Sequence, residues 1–442
     1  MQAALLRRVS TSLLVAAPGI VLRITGVELH PVAEMLVYGA AVVAAAFLLA
    51  WAAEAAQKDI SGALAIALLA LIAILPEYAV DLYYAFRSGS DPEYLHYAAA
   101  NMTGSNRLLL GFGWPLVVLV SLVVARRALR RGASASAAAA TGATGPTKPS
   151  AGATGSGTPR APRALRLPKE HRLDIGFLAI LALLAFAIPL IGSIPLWFGA
   201  ILILVFGLYL WRAGLTHGDE EPDFVGPAAL IAGMDRRPRR ATIVALFVVS
   251  ATIILMSAEP FAEALVASGA SLGIDSYFLV QWLAPLASES PEFIIAVMFA
   301  LRGMGPAAIG TLIASKVNQW SLLVGSLPVA HSIGGGPTAL ALDARQIEEF
   351  TLTATQTLLG VAMILALRFS WSSAIGLAAL FAVQFVVTDT SGRYVLSAIQ
   401  AALAIAFIVA HRRELRATLS APFRRTQAVG TPVPEPARGS RG

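Results

Sequence analysis

Eight ionisable residues lie inside stretches of the sequence that are otherwise apolar. They are Glu77, Asp81, Arg107, Glu259, Glu263, Glu289, Glu292 and Lys316. A charge at the centre of a lipid bilayer costs about 2.5–3.5 kcal/mol on insertion scales, so this many charges would not persist there without a role. We expect them to face one another, a polar partner or a water-filled cavity, where a carboxylate can bind a cation or a proton.

Two of these glutamates, Glu77 and Glu292, directly follow a proline. A proline inside a helix removes the hydrogen bond to the carbonyl four residues earlier, which would leave the carbonyls of Ile72 and Ala287 without a backbone donor. A free carbonyl one turn from a carboxylate makes a cation site in lipid. The alternative is a plain proline kink whose glutamate reaches the membrane surface, but neither glutamate lies near a predicted span end.

The surroundings of the two Pro-Glu pairs repeat along the chain. Residues 75–77 are followed by a polar run at 101–106, and residues 288–292 are followed by a polar run at 314–319. The charges of the loops orient the two Pro-Glu helices in opposite directions across the membrane. An inverted repeat with broken helices at mid-membrane is the layout of secondary transporters.

Membrane-spanning helices must position these groups, because the composition excludes a soluble enzyme. Of the 442 residues, 57% are hydrophobic and only 13% are charged, whereas a soluble chain carries about 25% charged residues. The mean hydropathy of +0.71 also excludes a disordered chain. Cysteine is absent, which excludes disulfides, thiolate metal sites and cysteine nucleophiles.

A helix needs about 20 mostly apolar residues to cross the hydrocarbon core of a bilayer. Twelve segments are candidates. They lie near 11–26, 32–56, 60–86, 97–125, 174–192, 195–213, 240–268, 274–300, 306–328, 350–368, 372–387 and 391–411. The first segment is short and contains Pro18 and Arg23, so residues 1–26 are either a retained helix or a signal peptide.

Arginine and lysine in the loops predict the orientation of the chain. The segments 126–173, 214–240 and 412–442 are basic, and with twelve spans they fall on one side together with the N-terminus. The opposite side receives the acidic loops 87–96 and 329–349. We therefore expect a multi-pass protein of the cell (inner) membrane with both termini in the cytoplasm. The net charge of +7 is explained by contact with membrane lipid rather than with nucleic acid.

Composition and the predicted spans divide the chain into five parts. They are an extra N-terminal helix (1–31), a first repeat (32–213) that contains a disordered cytoplasmic linker (127–172), a cytoplasmic loop (214–239), a second repeat (240–387), and an extra helix with a disordered basic tail (388–442). The linker is predicted to be disordered because alanine, glycine, serine, threonine and proline dominate it and cannot bury a core.

With two Pro-Glu helices, each followed by a helix that carries Gly-Ser-Asn or a variant of it, the sequence resembles the cation/Ca²⁺ exchanger superfamily. This superfamily contains sodium/calcium and cation/proton exchangers. The resemblance covers roughly 32–387. It implies an all-α integral membrane fold of two inverted five-helix α-repeats with proline-broken helices, here with about twelve helices because one extra helix stands at each end.

The resemblance also implies which residues bind the transported cation. The glutamates of the Pro-Glu pairs, Glu77 and Glu292, correspond to its ligands, and the serine of the following helix corresponds to Ser105 and Ser315. Ser288 corresponds to a hydroxyl that precedes the second pair. The full candidate set for Ca²⁺ or Na⁺ is Glu77, Glu292, Glu289, Ser105, Asn106, Ser288, Ser315 and Gln319.

The sequence departs from the family pattern at several of these positions. Ala73 and Ile74 stand where the first repeat should carry two hydroxyl groups, and Glu289 adds a carboxylate to the second repeat. Leu109 and Gln319 occupy the second polar position of the following helix. Several expected Na⁺ ligands are therefore missing, which disfavours Na⁺-driven exchange of the usual kind.

Lys316 stands where the first repeat has Asn106, and it is expected to modulate the site. We weigh two roles for its ammonium group. It competes with the transported cation for Glu289 or Glu292, or it forms a fixed ion pair with one of them.

Asp81 and Arg107 are the other two modulating charges. They are expected to pair with each other between neighbouring helices, and a proton relay through Asp81 is the alternative. Glu259 and Glu263 are expected to line an aqueous path or to pair structurally.

These features predict a secondary-active antiporter that exchanges Ca²⁺ or Na⁺ against protons by alternating access at a mid-membrane carboxylate site. The alternatives are Na⁺/Ca²⁺ exchange on the same fold, an intramembrane enzyme that acts on lipid, and a scaffold without transport. We expect no enzymatic activity, no cofactor and no nucleotide partner, since the Gly334–Gly336 run has no Walker pattern. The sequence does not determine the ion, the stoichiometry, the direction of transport or the oligomeric state.

Overall fold

The computed structural model describes residues 2–59, 75–142, 162–216, 224 and 226–424, and most of them are helical. The first half of the chain contains eight of the helices that we number. They are α1 (Gln2–Thr25), α2 (Pro31–Ala56), α3 (Leu75–Arg87), α4 (Tyr94–Leu108), α5 (Trp114–Gly142), α6 (Arg172–Leu184), α7 (Ala187–Ile191) and α8 (Leu196–Thr216).

The second half of the chain contains nine more. They are α9 (Gly226–Ala232), α10 (Arg236–Leu272), α11 (Ser276–Leu301), α12 (Gly305–Asn318), α13 (Val324–Ile333), α14 (Ala344–Ile364), α15 (Trp371–Val383), α16 (Thr390–Ala410) and α17 (Arg412–Ser420). Two short 3₁₀ turns, Lys169–His171 and Ala421–Phe423, precede α6 and follow α17.

Eight helical segments in the described ranges are long and apolar enough to cross a membrane, and each coincides with a predicted span. The other four predicted spans correspond to α3, to the pair α12 and α13, to α14 and to α15, which are not both long and apolar enough by the same measure. Residues 60–74 of the third predicted span, with Ile72, Ala73 and Ile74, lie outside the described residues. The number of twelve spans therefore stays a prediction.

A π-helical segment interrupts one long helix in each half of the chain. Leu109–Gly113 lies between α4 and α5, and Gln319–Leu323 lies between α12 and α13. A π segment shifts the helical register by one residue and is frequent at functional sites. The sequence reasoning missed both, since it placed the helix breaks at the Pro-Glu pairs. That expectation needs correction, because α11 continues as one helix through Pro285 and Pro291.

Two short antiparallel ladders join the halves of the molecule, and the sequence predicted neither. Strand β1 (Ala164–Arg166) pairs with β4 (Arg368–Ser370), and β2 (Ser193–Pro195) pairs with β3 (Ala339–Ala341). Each ladder connects a strand of the first half to one of the second half, so the two halves are linked by backbone hydrogen bonds as well as by helix packing.

The core depends on close packing between helices of different halves. Helix α2 packs along α10, and α4 packs along α11. At Gly104 of α4 a Cβ atom would lie 1.8 Å from the backbone oxygen of Gln281, so only glycine permits this approach. The contact places the polar run of α4 beside the acidic helix α11.

Part of the segment predicted as a disordered linker has regular structure. Helix α5 continues to Gly142, and the chain forms β1 and begins α6 before residue 173. Residues 143–161 lie outside the described ranges, as do residues 425–442 of the predicted tail.

Candidate functional site

The candidate site lies where α3, α11, α12 and the π segment that follows α12 meet. Glu77 directly follows Pro76 in the described part of α3. Asp275 caps the start of α11 by accepting a hydrogen bond from the backbone N–H of Tyr277 at 3.0 Å. This cap begins the helix that carries Glu289 and Glu292.

Gln319 joins two of the glutamates. Its Nε2 donates to Oε1 of Glu77 at 3.1 Å and to Oε1 of Glu289 at 2.6 Å. The side chains are buried, with 3% of Glu77, 2% of Glu289 and none of Gln319 exposed. Two oxygens of this group, Oε2 of Glu289 and Oε1 of Gln319, have no partner among the described residues. The bridge therefore holds two carboxylates together and leaves acceptor oxygens beside them.

The third carboxylate lies one turn further along α11. Glu292 accepts a hydrogen bond from Oγ of Ser315 through its Oε2 at 2.7 Å, and it is only half-buried. Glu289 and Glu292 share a helix face because they are three residues apart. We call Glu77, Glu289 and Glu292 the carboxylate cluster.

Two polar groups predicted to join the site are engaged elsewhere on α11. Ser288 Oγ donates to the backbone oxygen of Ala284 at 3.2 Å. The carbonyl of Ala287, which Pro291 was expected to leave free, accepts a hydrogen bond from Ser290 Oγ at 3.0 Å. A serine of the same helix thus donates the hydrogen bond that the proline nitrogen cannot, as is common beside a proline in a membrane helix.

Lys316 contacts no carboxylate among the residues that the structure describes. Its Nζ donates to the backbone oxygen of Asn106 at 2.6 Å and to the side-chain Oδ1 of Asn106 at 2.7 Å. The predicted fixed ion pair with Glu289 or Glu292 is therefore wrong. Lys316 and Asn106 are both completely buried. The long lysine side chain reaches across to the oxygens of Asn106 rather than to a glutamate.

Three predicted or neighbouring polar groups are buried without a partner in the described part of the chain. They are the hydroxyl of Ser105, both carboxylate oxygens of Asp81 and the side-chain amide of Asn101. Asp81 faces Asn101, one turn of α3 beyond Glu77. The ligand role of Ser105 and the relay role of Asp81 stay predictions.

The predicted pair between Asp81 and Arg107 is wrong. Arg107 Nη2 instead lies 2.6 Å from Oε2 of Glu349, and the two side chains are 1% and 0% exposed. Arg393 of α16 also pairs with Glu349, and its Nη1 lies 3.3 Å from Oε1 of Glu348. The physical reason is geometric: α4 packs against α14, which brings Glu349 to the Arg107 guanidinium.

Sequence reasoning missed the two acidic residues of this network because it assigned 329–349 to an external loop. In the structure Glu348 and Glu349 belong to α14, which begins at Ala344 with a capping box of Asp343 and Gln346. The motif Asp-x-x-Gln before an apolar run was a readable sign of this helix start.

Glu259 and Glu263 pair with side chains outside the carboxylate cluster. Glu259 lies 2.5 Å from Nη2 of Arg23, and Glu263 accepts a hydrogen bond from the hydroxyl of Tyr83 at 2.6 Å. Both contacts are exposed. These partners support the structural-pairing expectation for the two residues.

The described residues contain no group of three or more acidic or histidine side chains at mutual metal-ligand distances. Gln319 instead connects Glu77 and Glu289, and Ser315 donates to Glu292. Chemically, each of these donors hydrogen-bonds to a carboxylate oxygen that could otherwise bind a cation. A cation or a proton on the cluster would therefore change the hydrogen bonds of two residues on and just beyond α12.

Comparison with known proteins gives a family match over both parts of the chain that contribute to the candidate site. The model of a family described as "Sodium/calcium exchanger protein" matches residues 30–214 and 242–388. A search of curated proteins found no match.

Solved structures of exchangers match the whole fold. A crystal structure of the H⁺/Ca²⁺ exchanger CAX is 35% identical, with a TM-score of 0.82 over 94% of this chain and 97% of that chain. The Ca²⁺/H⁺ antiporter YfkE is 15% identical, with a TM-score of 0.56 over 90% and 99%. The sodium-calcium exchanger NCX_Mj is 14% identical, with a TM-score of 0.50 over 81% and 98%. The two more distant likenesses concern the fold alone.

These matches confirm the predicted resemblance and the predicted all-α membrane fold. The family model spans both Pro-Glu pairs and both helices that follow them. The chain belongs to the sodium/calcium exchanger family.

Proposed function

We propose that this protein is a secondary-active cation antiporter that exchanges Ca²⁺ against protons at the carboxylate cluster. The observation that carries the proposal is that Gln319 joins Glu77 of the first half to Glu289 of the second in the buried interior, with the half-buried Glu292 one turn further along α11. The likeness to the H⁺/Ca²⁺ exchanger CAX, at 35% identity, favours Ca²⁺ and protons over other ion pairs.

The chemistry of the cluster suits exchange. Ca²⁺ takes 6–8 oxygen ligands. The three glutamates offer six carboxylate oxygens, and Ser315 and Gln319 add one oxygen each, so a bound Ca²⁺ would draw these groups closer than they lie here. Bare carboxylates in a membrane interior are costly, so each is stabilised by a cation or by a proton. Because both neutralise the same charges, binding of one displaces the other, and this competition couples the two fluxes.

Alternating access would require the cluster to face each side of the membrane in turn. Its residues come from α3 in the first half and from α11 in the second, and Ser315 of α12 donates to it, so a relative movement of the halves would remodel it. We further propose that residues 32–213 and 240–387 form the two repeats. The protein would lie in the cytoplasmic membrane with both termini in the cytoplasm. The two ranges of the family match, 30–214 and 242–388, support this division.

The decisive experiment is ion flux in proteoliposomes. An imposed pH gradient should drive Ca²⁺ movement in the wild type, and Ca²⁺ should drive proton movement. Glu77→Gln and Glu292→Gln should lower both fluxes to the level of empty liposomes, because glutamine keeps the size and the hydrogen-bonding capacity but removes the charge. Glu259→Gln is the matched control and should retain flux, since Glu259 pairs with Arg23 away from the cluster.

The outcomes separate the alternatives. Ca²⁺ movement driven by a Na⁺ gradient and indifferent to pH would support Na⁺/Ca²⁺ exchange. Folded protein that moves no cation under any gradient would contradict the antiporter proposal and favour a scaffold. Flux that survives both Glu77→Gln and Glu292→Gln would place the site elsewhere.

A further inference from the structure

The two π segments define equivalent positions in the halves of the molecule. Asn106 lies three residues before the π segment that begins at Leu109, and Lys316 lies three residues before the one that begins at Gln319. These two equivalent residues contact each other, because Nζ of Lys316 donates to both oxygens of Asn106. The contact therefore lies between α4 and α12, where the two halves meet through matching positions.

The surroundings of the Lys316 ammonium are those of a small monovalent cation. Its two hydrogen-bond partners are a neutral carbonyl oxygen and a neutral amide oxygen, and the ring of Trp320 lies 5.8 Å away. Carbonyl and amide oxygens are ligands for hard cations such as Na⁺ and K⁺. The position is completely buried, so a mobile cation placed there would also have lost its water.

The charges of the site agree with this interpretation. The three carboxylates of the cluster carry three negative charges when ionised. Lys316 carries one positive charge when it is protonated. The remaining two negative charges of these glutamates match one divalent cation.

We infer that Lys316 is a tethered cation that fills a monovalent-cation position beside Asn106 and thereby excludes Na⁺ as a coupling ion. The inference rests on the proposed exchange function, and it assigns to Lys316 the choice of ion. It replaces the expectation that the lysine competes for a carboxylate, because the ammonium is bound by neutral oxygens. The lysine acts as a fixed charge in this role.

Two substitutions separate the charge from the space that it fills. Lys316→Asn restores the residue of the first half and adds an amide oxygen, so it should create a Na⁺ position next to the two oxygens of Asn106. Lys316→Met fills the same volume with an apolar chain and offers no ligand. A merely structural lysine would respond similarly to both substitutions, whereas a tethered cation would not.

The test measures Ca²⁺ release from loaded proteoliposomes at equal pH on both sides, with external Na⁺ or with N-methylglucamine. Wild type and Lys316→Met should show no Na⁺-dependent release. Lys316→Asn should show Na⁺-dependent release at least about tenfold above the wild type. Thermal unfolding of the purified proteins gives a second readout, because Na⁺ should raise the midpoint of Lys316→Asn alone.

Each result decides the inference. It is overturned if folded Lys316→Asn gains neither Na⁺-dependent release nor stabilisation by Na⁺, or if Lys316→Met gains them equally. If Lys316→Asn does not fold, the same measurements on the wild type test the inference. Saturable Na⁺-driven Ca²⁺ release or stabilisation of the wild type by Na⁺ would overturn it. A wild type whose Ca²⁺ release and thermal midpoint do not change with Na⁺ would support it. Absence of pH-driven Ca²⁺ movement in the wild type would instead refute the proposed function. The effect of Na⁺ on the thermal midpoint of Lys316→Asn would still test the inference.

Discussion

Removing the charge of Glu349 should destabilise the protein strongly, although Glu349 is not part of the carboxylate cluster. The side chain is fully buried, and its two oxygens hold Arg107 of α4 and Arg393 of α16. Glu349→Gln keeps the volume of the side chain and removes only the charge. Any loss of stability therefore reports the ion pairs and not a cavity.

The structure sets the expected size of this loss. Breaking a buried ion pair by removing one partner costs about 3–5 kcal/mol, because the other partner stays buried and uncompensated. Two contacts lessen the cost for Arg107, since Nη1 donates to Gln384 at 3.3 Å and the guanidinium lies 5.1 Å from the Trp282 ring. We therefore expect a loss of about 3 kcal/mol in the free energy of unfolding, the low end of that range.

The assay is equilibrium unfolding of purified protein in detergent micelles, followed by tryptophan fluorescence. The matched control is Arg345→Gln, which breaks an ion pair of the same length, 2.6 Å, with Asp275. That pair is 44% and 50% exposed, and exposed pairs contribute about 0–1 kcal/mol. The comparison therefore sets a buried ion pair against an exposed one, and the contact of Arg345 with the Tyr277 ring can only add to the loss of the control.

Two results test the reasoning further. A loss for Glu349→Gln of less than about 1 kcal/mol, within the range of exposed pairs, would refute the argument from burial. The double variant Arg107→Met with Glu349→Leu should lose less than Glu349→Gln alone, because Arg393 then keeps Glu348 and no arginine loses its only anion. A greater loss for the double variant would show that packing and not charge governs this region.

Two further predictions concern contacts outside this network. Gly104→Ala should destabilise the protein by about 1–3 kcal/mol, because the new Cβ would meet the backbone oxygen of Gln281. Gly207→Ala, a helical glycine with open space around it, should be neutral or stabilising in the same unfolding assay, and equal losses would contradict the steric argument. Hydrogen bonds from Arg239 hold the pKa of Asp59, in the turn after α2, below its ordinary value. Because the folded-state pKa is lowered, this stabilisation is complete above the unfolded-state pKa of about 3.9 and is lost as the pH falls through the folded-state value. The difference in thermal midpoint between wild type and Asp59→Asn should therefore shrink as the pH is lowered from 7 to 3, and a constant difference would count against the ion pair.

The sequence alone was sufficient for the class of fold, the family and the positions of the acidic residues that form the cluster. Apolar stretches of about 20 residues predict membrane helices whatever their neighbours are, because each helix must satisfy its own backbone in lipid. The cost of a buried charge makes residues such as Glu77 and Glu292 conspicuous in such stretches. Both kinds of information are local, so they can be read from the chain without knowing the packing.

Only the tertiary structure decided the partners of the charges. Lys316 contacts Asn106, and Arg107 contacts Glu349, across 210 and 242 positions of the sequence. A helical pattern shows at which depth a long side chain lies, but several oxygens of other helices lie at that depth, and helix packing determines which one is in reach. The π segments were hidden for a related reason, since a one-residue shift in helical register leaves no mark on composition or hydropathy. The identity of each partner is thus a property of how the two halves pack together.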